Sequence, residues 1–371
     1  MMKNRIFSAD AHIVEPRTLF LDGLPASLQK HAVSAAMEDG YMKMKVGPDV
    51  VHRQRLSAAA PDGGDIGRSK RKGASNLVGR LEDMEMEGID CELVFPTLGL
   101  VLYFVRDREA AVASSQLYND WALQFFGEHR HMFVPSAMLP ALAIEDILAE
   151  LRRVGTLGYT AAMLPTITGA ALPAYNDEAW DPVFRLAGDL GIVFTFHTGT
   201  GDRPWISERG PGAAVINYAT QMNEGIDATM RLVSGGVLDR NPDTKICFVE
   251  SGASWLAALA ERMDEVYEAH NYYVRPVLSL KPSEIIQRQV SCAFQHDRAC
   301  IMSREVTGLK SLLWATDYPH AEGTFPKSRK VAAHLFDGIE IGEDEKAAIL
   351  GGNAFDLFRP APPPQGIKAA A

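Results

Sequence analysis

Asp10 and His12 stand two residues apart at the end of an apolar run, RIFSADAH (5–12). On a β-strand that spacing points both side chains to one face, so one strand could deliver a carboxylate and an imidazole to the same cation. Other apolar runs also end in ionisable residues. His197 closes IVFTFHTG (192–199), Glu250 closes KICFVESG (245–252) and His296 closes VSCAFQH (290–296). Asp317 and His320 close LLWATDYPH (312–320). His197 and Asp317 would complete a mixed nitrogen and oxygen shell with the first pair. Such ligands suit Zn²⁺, Mn²⁺ or Fe²⁺, and no thiolate is placed to demand a softer metal.

Strands must carry these residues to one place. Besides the five runs above, DCELVFP (90–96), FVPSAML (133–139) and YTAAMLP (159–165) have the same continuous apolar character. That character is expected of parallel strands covered on both faces. Helical patterns lie between them, at 111–129, 143–155, 177–191 and 254–270. Strand then helix, eight times in order, predicts an α/β protein built as a (β/α)8 TIM barrel. A doubly wound sheet is the alternative, and no GxGxxG follows the first strand to support it. In a (β/α)8 barrel the site forms where strands end, so the polar ends of strands one and five to eight would converge.

The barrel is expected over residues 1–358, with a long insertion after the first strand (about 16–88) and another after the fifth. PDGGDIGRSKRKGAS (61–75), rich in Gly and charge, reads as a lid or mobile loop. RPAPPPQGIKAAA (359–371) reads as a surface tail. The formal charge of -10 argues against a nucleic-acid partner. The cysteines Cys91, Cys247, Cys292 and Cys300 have no CxxC pairing and read as buried thiols. With no signal-like start and no apolar window of membrane-spanning length, a soluble, cytoplasmic protein without a membrane partner is expected.

Asp10-x-His12, His197-Thr198-Gly199 after an apolar strand, and Thr316-Asp317-Tyr318-Pro319-His320 resemble the amidohydrolase-related branch of the amidohydrolase superfamily. That branch includes aminocarboxymuconate-semialdehyde, resorcylate and carboxyvanillate decarboxylases. The resemblance runs from the first strand to the eighth. It implies a metal-dependent barrel enzyme whose shell is Asp10, His12, His197 and Asp317, and a homodimer. Two positions depart from the branch. Asp10-x-His12 replaces the HxH of some members, and Glu250 stands where the decarboxylases have a proton-handling His after the sixth strand. With Glu15, Glu250 and His320 added to the candidate ligands, the inventory could hold one ion or two. Glu15, ahead of Pro16, could equally brace the loop after the first strand.

The departure at Glu250 moves the expectation toward a metal-dependent hydrolase acting on an amide, lactone or related bond of a small cyclic or aromatic compound. Asp317 would be ligand and base, and Glu250 or His296 the second proton carrier. Arg53 or Arg55 would pair a substrate carboxylate from the insertion, with Trp205 and Asn223 lining the pocket. A non-oxidative decarboxylase and a dinuclear iron oxygenase are the alternative readings on the same scaffold.

Overall fold

The computed structural model describes residues 5–54 and 71–364. All eight apolar runs are strands: β1 (Phe7–Ile13), β5 (Cys91–Pro96), β6 (Phe133–Met138), β7 (Ala161–Met163), β8 (Val193–His197), β9 (Ile246–Val249), β10 (Val290–Phe294) and β11 (Leu312–Trp314). Every residue in them is buried. That is why the runs read as continuously apolar rather than alternating.

The strands pair in parallel in sequence order, β1-β5-β6-β7-β8-β9-β10-β11. The order never reverses from a central strand, so the doubly wound alternative is excluded. The sheet curls until β1 meets the segment that follows β11 through an isolated parallel bridge, Ala11 to Tyr318. Residue parity decides which layer each side chain joins. Phe194 of β8 packs edge-on against Phe184, and Phe248 of β9 against Trp255, both on outer helices. Thr195, on the opposite face, meets Ser136 of β6 at 2.8 Å inside the barrel. His197 shares the parity of Thr195 and so faces inward.

The predicted helices appear as Arg108–Phe126, Ile144–Thr156, Asp181–Leu190 and Trp255–Ala269. Asp107 caps the first by accepting from Ala110 N. The third is preceded by a 3-10 turn capped by Asp177, and Pro182 sits in its opening turn, where its missing N–H costs nothing. The four cysteines are unpaired and buried. No helix among the described residues is long and apolar enough to cross a membrane.

The insertion after β1 holds more order than its composition suggests. β2 (Val33–Glu38), β3 (Tyr41–Val46) and β4 (Asp49–Gln54) form a three-stranded antiparallel sheet. Asp39 and Gly40, both left-handed at φ 54° and 77°, make the two-residue turn between β2 and β3. The stretch Leu77–Glu87 is a helix leading into β5. Residues 61–70 of the expected lid, and 365–371 of the tail, lie outside the described residues.

Candidate metal centre

The inner ends of β1 and β8 bring three ligands together. His12 Nε2 lies 3.5 Å from Asp10 Oδ1 and 3.0 Å from His197 Nε2, and His197 Nε2 is 3.9 Å from Asp10 Oδ1. Asp317, three residues past β11, adds Oδ1 at 3.6 Å from His12 Nε2. All four side chains are at most 1% exposed. The imidazoles are oriented from behind. His12 Nδ1 is 3.0 Å from Pro96 O and His197 Nδ1 is 2.9 Å from Thr198 O. A carbonyl can only accept, so each Nδ1 carries the proton and both Nε2 atoms present lone pairs to each other. Asp10 Oδ1 and Asp317 Oδ2 take no hydrogen bond, and Asp317 Oδ1 lies 3.0 Å from His320 Nδ1.

Facing lone pairs and orphaned buried carboxylate oxygens cost several kcal/mol unless something positive lies among them. Two imidazoles and two carboxylates could hold a divalent cation in that place, and the donor set suits manganese, iron or zinc. Burial, with His320 and His197 nearby, pushes His12 well below its ordinary pKa. Burial takes His197 down to about 4. Both rings are therefore in the neutral, ligating form. Burial and the charges of Asp317 and Glu250 push Asp10 well up.

A second group lies toward the mouth. Glu250, Asp317, His320 and Glu322 bring ligand-type atoms within 4.8 Å of one another. Glu250 Oε2 accepts from Thr198 Oγ1 at 3.0 Å and lies 3.6 Å from His197 Nδ1. Burial, then the charges of Asp317 and Glu322, hold its carboxyl well above the usual range. His320 Nδ1 is 3.0 Å from Asp317 Oδ1, and its ring stacks on His12 at 4.0 Å. Burial opposes its charge, but Asp317 and then Glu250 and Glu322 carry His320 up to about 10. Glu250 and Asp317 have left-handed backbones, φ 59° and 53°, a strained conformation typical of functional positions.

Several sequence expectations land elsewhere. Glu15 braces a loop: its oxygens accept from the backbone N–H groups of Thr97, Leu98 and Gly99 at 3.1, 2.9 and 2.7 Å, leaving it outside the cluster. His296 is exposed and belongs to none of the ligand groups. Its neighbour Asp297 instead accepts from Ala253 N and Ser254 N at 2.8 and 2.7 Å. Arg53 is exposed on β4, its guanidinium 5.7 Å from the Tyr41 ring centroid. Arg55 lies outside the described residues. Asn223 is exposed. The buried residue beside it, Glu224, holds the loop after β8 by accepting from Gly199 N at 3.1 Å and Arg203 Nε at 2.9 Å.

Trp205 lies beside the loop that follows His197. Its indole N–H donates to Gly199 O, two residues past His197. His52 of β4 packs against it with ring centroids 4.2 Å apart, so the insertion sheet touches the loop after β8. Glu322, Glu224 and His52 carry no strand-end signal. Glu322 could have been found only by following the polar run two residues past His320.

A family model described as amidohydrolase matches residues 10–359. The 2-amino-3-carboxymuconate-6-semialdehyde decarboxylase of Dictyostelium discoideum is 25% identical over 286 residues, 75% of each chain. Among solved structures, an amidohydrolase from Mycobacterium avium subsp. paratuberculosis K-10 superposes with TM-score 0.79 at 20% identity, covering 96% of this chain and 100% of the other. The 5-carboxyvanillate decarboxylase of Sphingomonas paucimobilis gives 0.69 at 23% identity, covering 97% and 100%. That of Novosphingobium aromaticivorans, complexed with manganese, gives 0.67 at 15%, covering 96% of both chains.

These relatives overturn the expectation of hydrolysis. The curated relative is a decarboxylase, and so are the two carboxyvanillate enzymes among the solved structures. The physical step that misled was at Glu250. A carboxyl held in its protonated form can hand over a proton as an imidazolium does, so its replacing a histidine does not argue against decarboxylation. Sequential parallel strands, a cation-type cluster at their ends and a match spanning nearly every residue lead to one assignment: the chain belongs to the amidohydrolase family.

Proposed function

We propose that the protein is a metal-dependent, non-oxidative decarboxylase of an aromatic or muconate-like carboxylate. The observation that carries this reading is an acid placed beside the buried cluster rather than within it. Glu250 reaches Asp317 and His320 on the mouth side, and its side chain is 18% exposed against at most 1% for Asp10 and Asp317. It can therefore exchange its proton with water while the inner carboxylates cannot. The similarity to the Dictyostelium decarboxylase supports the same reaction class.

Asp10, His12, His197 and Asp317 would hold one divalent ion, of the manganese type by similarity to the Novosphingobium structure. Such an ion would supply Lewis acidity toward the substrate carboxylate. Glu250 gives its proton to the carbon that bears the carboxylate, and π electrons of the conjugated system form the new C–H bond. Scission of the C–C bond returns its electron pair to that system, and carbon dioxide leaves. No electrons are gained or lost overall, so no oxidant is required. Thr198 holds Oε2 of the spent glutamate until solvent restores the proton.

Manganese-loaded protein should release carbon dioxide from 2-amino-3-carboxymuconate 6-semialdehyde, 5-carboxyvanillate or a dihydroxybenzoate. In heavy water the product should carry deuterium at the carbon that lost its carboxylate. Metal-loaded protein that releases no carbon dioxide from any of the three overturns the reading.

A further inference from the structure

The barrel closes at its own reaction centre. β1 and β11 share no ladder beyond the Ala11–Tyr318 bridge. The backbone bonds across this seam belong to the cluster itself: Asp317 N donates to Asp10 O at 2.9 Å, and His12 N donates to Tyr318 O at 2.6 Å. Any widening of the seam would pull Asp317 away from Asp10 and His12.

One buried side chain spans it. Arg80, on the helix Leu77–Glu87, is 1% exposed. Its Nε donates to Glu92 Oε2 of β5 at 2.7 Å, and its Nη1 donates to His12 O at 2.9 Å. The guanidinium carbon lies 4.2 Å from the centroid of the Tyr318 ring, next in sequence to Asp317. Tyr318 O–H donates in turn to Asp83 Oδ2 at 2.5 Å, on the same helix. A single planar cation thus touches β5, the carbonyl of one ligand residue and the side chain adjoining another. Burying a guanidinium is costly even when paired, and apolar side chains could fill the space without that cost. A rigid fork that also stacks is what such a place uses, and lysine cannot reproduce it.

We propose that Arg80 is a positioning residue for the metal centre: it sets the separation between the β1 ligand pair and Asp317, and through it the affinity for the ion. This rests on the cluster being a metal centre and not on the reaction class. The test is Arg80→Lys, read by titration with MnCl2 and by amide hydrogen exchange. Loss of an outer partner of this kind costs about 10- to 100-fold in metal affinity. The Mn²⁺ dissociation constant should rise by that factor. Exchange at the His12 and Asp317 amides should quicken, while the Leu164 and Phe194 amides, bonded between β7, β8 and β9, keep their rates. A variant that melts at lower temperature yet binds Mn²⁺ within twofold of the parent overturns the proposal.

Should Arg80→Lys fail to fold, Tyr318→Leu removes the stacking face and the Asp83 bond while leaving Arg80. It should weaken Mn²⁺ binding in the same direction, and unchanged binding overturns the proposal. The titration needs no substrate, so the two readings fail separately. Tight Mn²⁺ binding without carbon dioxide release sinks the decarboxylase alone. A parent protein that binds no Mn²⁺ sinks the metal centre and the role of Arg80 together.

Discussion

The floor and the mouth of the site are built in different ways. Asp10, His12 and His197 belong to strands, and backbone carbonyls of Pro96 and Thr198 aim the two rings. Glu250, Asp317, His320 and Glu322 come from the segments that follow β9 and β11. There two non-glycine residues take left-handed backbones, at a cost of about 1–3 kcal/mol each. The segment after β11 is folded back by Thr324 N donating to Thr316 O and His320 N to Asp317 O, both at 2.9 Å. The difference separates two tasks. Sheet geometry presets three of the four proposed ligands at little conformational expense, while Asp317 and the groups nearer the mouth depend on turns and strain.

The largest effect should come from the floor. His197→Ala is expected to abolish bound manganese and turnover together, measured by metal analysis and carbon dioxide release. A variant that keeps its full metal content would show that His197 is not a ligand. The mouth should respond differently. Glu250→Gln should lower kcat by about 10²–10⁴-fold, the usual worth of a positioned acid, with KM and metal content near the parent's. Equal loss of metal would erase the distinction between the two regions.

Proton linkage offers a third probe, on metal-free protein. His197 is held down at about 4 against an ordinary 6.5, because burial disfavours its charge. Between those values the unfolded chain takes up a proton that the folded chain does not. This ring's contribution to stability is therefore full above pH 6.5 and declines as pH falls, by up to about 1.4 kcal/mol per pH unit. Urea unfolding at pH 7 and pH 5 should show the loss, and His197→Gln should reduce it. An identical slope in that variant would mean the ring does not titrate this way.

Smaller effects should sharpen the picture of the mouth. A Cβ on Gly323 would come within 2.6 Å of Asp317 O and 2.9 Å of Thr316 O, both backbone. Gly323→Ala should thus cost about 1–3 kcal/mol in thermal unfolding. No change in stability would show that the turn after β11 is more yielding than its packing indicates. The smallest change is expected at His52, whose ring meets Trp205. An aromatic pair is worth about 0.5–1.5 kcal/mol, so His52→Ala should raise KM roughly two- to tenfold and spare kcat. A fall in kcat instead would place the insertion sheet in the chemistry rather than over its entrance.

Reading strand ends for ionisable residues found Asp10, His12, His197, Glu250 and Asp317, because barrel topology alone carries such residues to one rim. The same rule over-read His296, which the bend after β10 turns to solvent, and Glu15, whose oxygens go to three backbone amides. The small sheet was partly legible. Asp39-Gly40 followed by the alternation Met42-Lys43-Met44-Lys45-Val46 is a hairpin signal, outweighed by the glycine-rich charge just downstream. Arg80, Glu224 and Tyr318 gave no sign of their roles. Arg80 reaches back to His12 and forward to Tyr318, and Glu224 secures a loop that starts 25 residues before it.

By itself the order of residues determined the eight strands, their all-parallel pairing and which inward positions bear acid or imidazole. Those properties follow from local periodicity and from the one-way winding of strand and helix. Only the tertiary structure decided which of those groups come close enough to share a cation, which are consumed in bracing loops and which side chain reaches across the seam. Such choices turn on contacts of a few ångströms between segments remote in sequence, and no pattern along the chain encodes them.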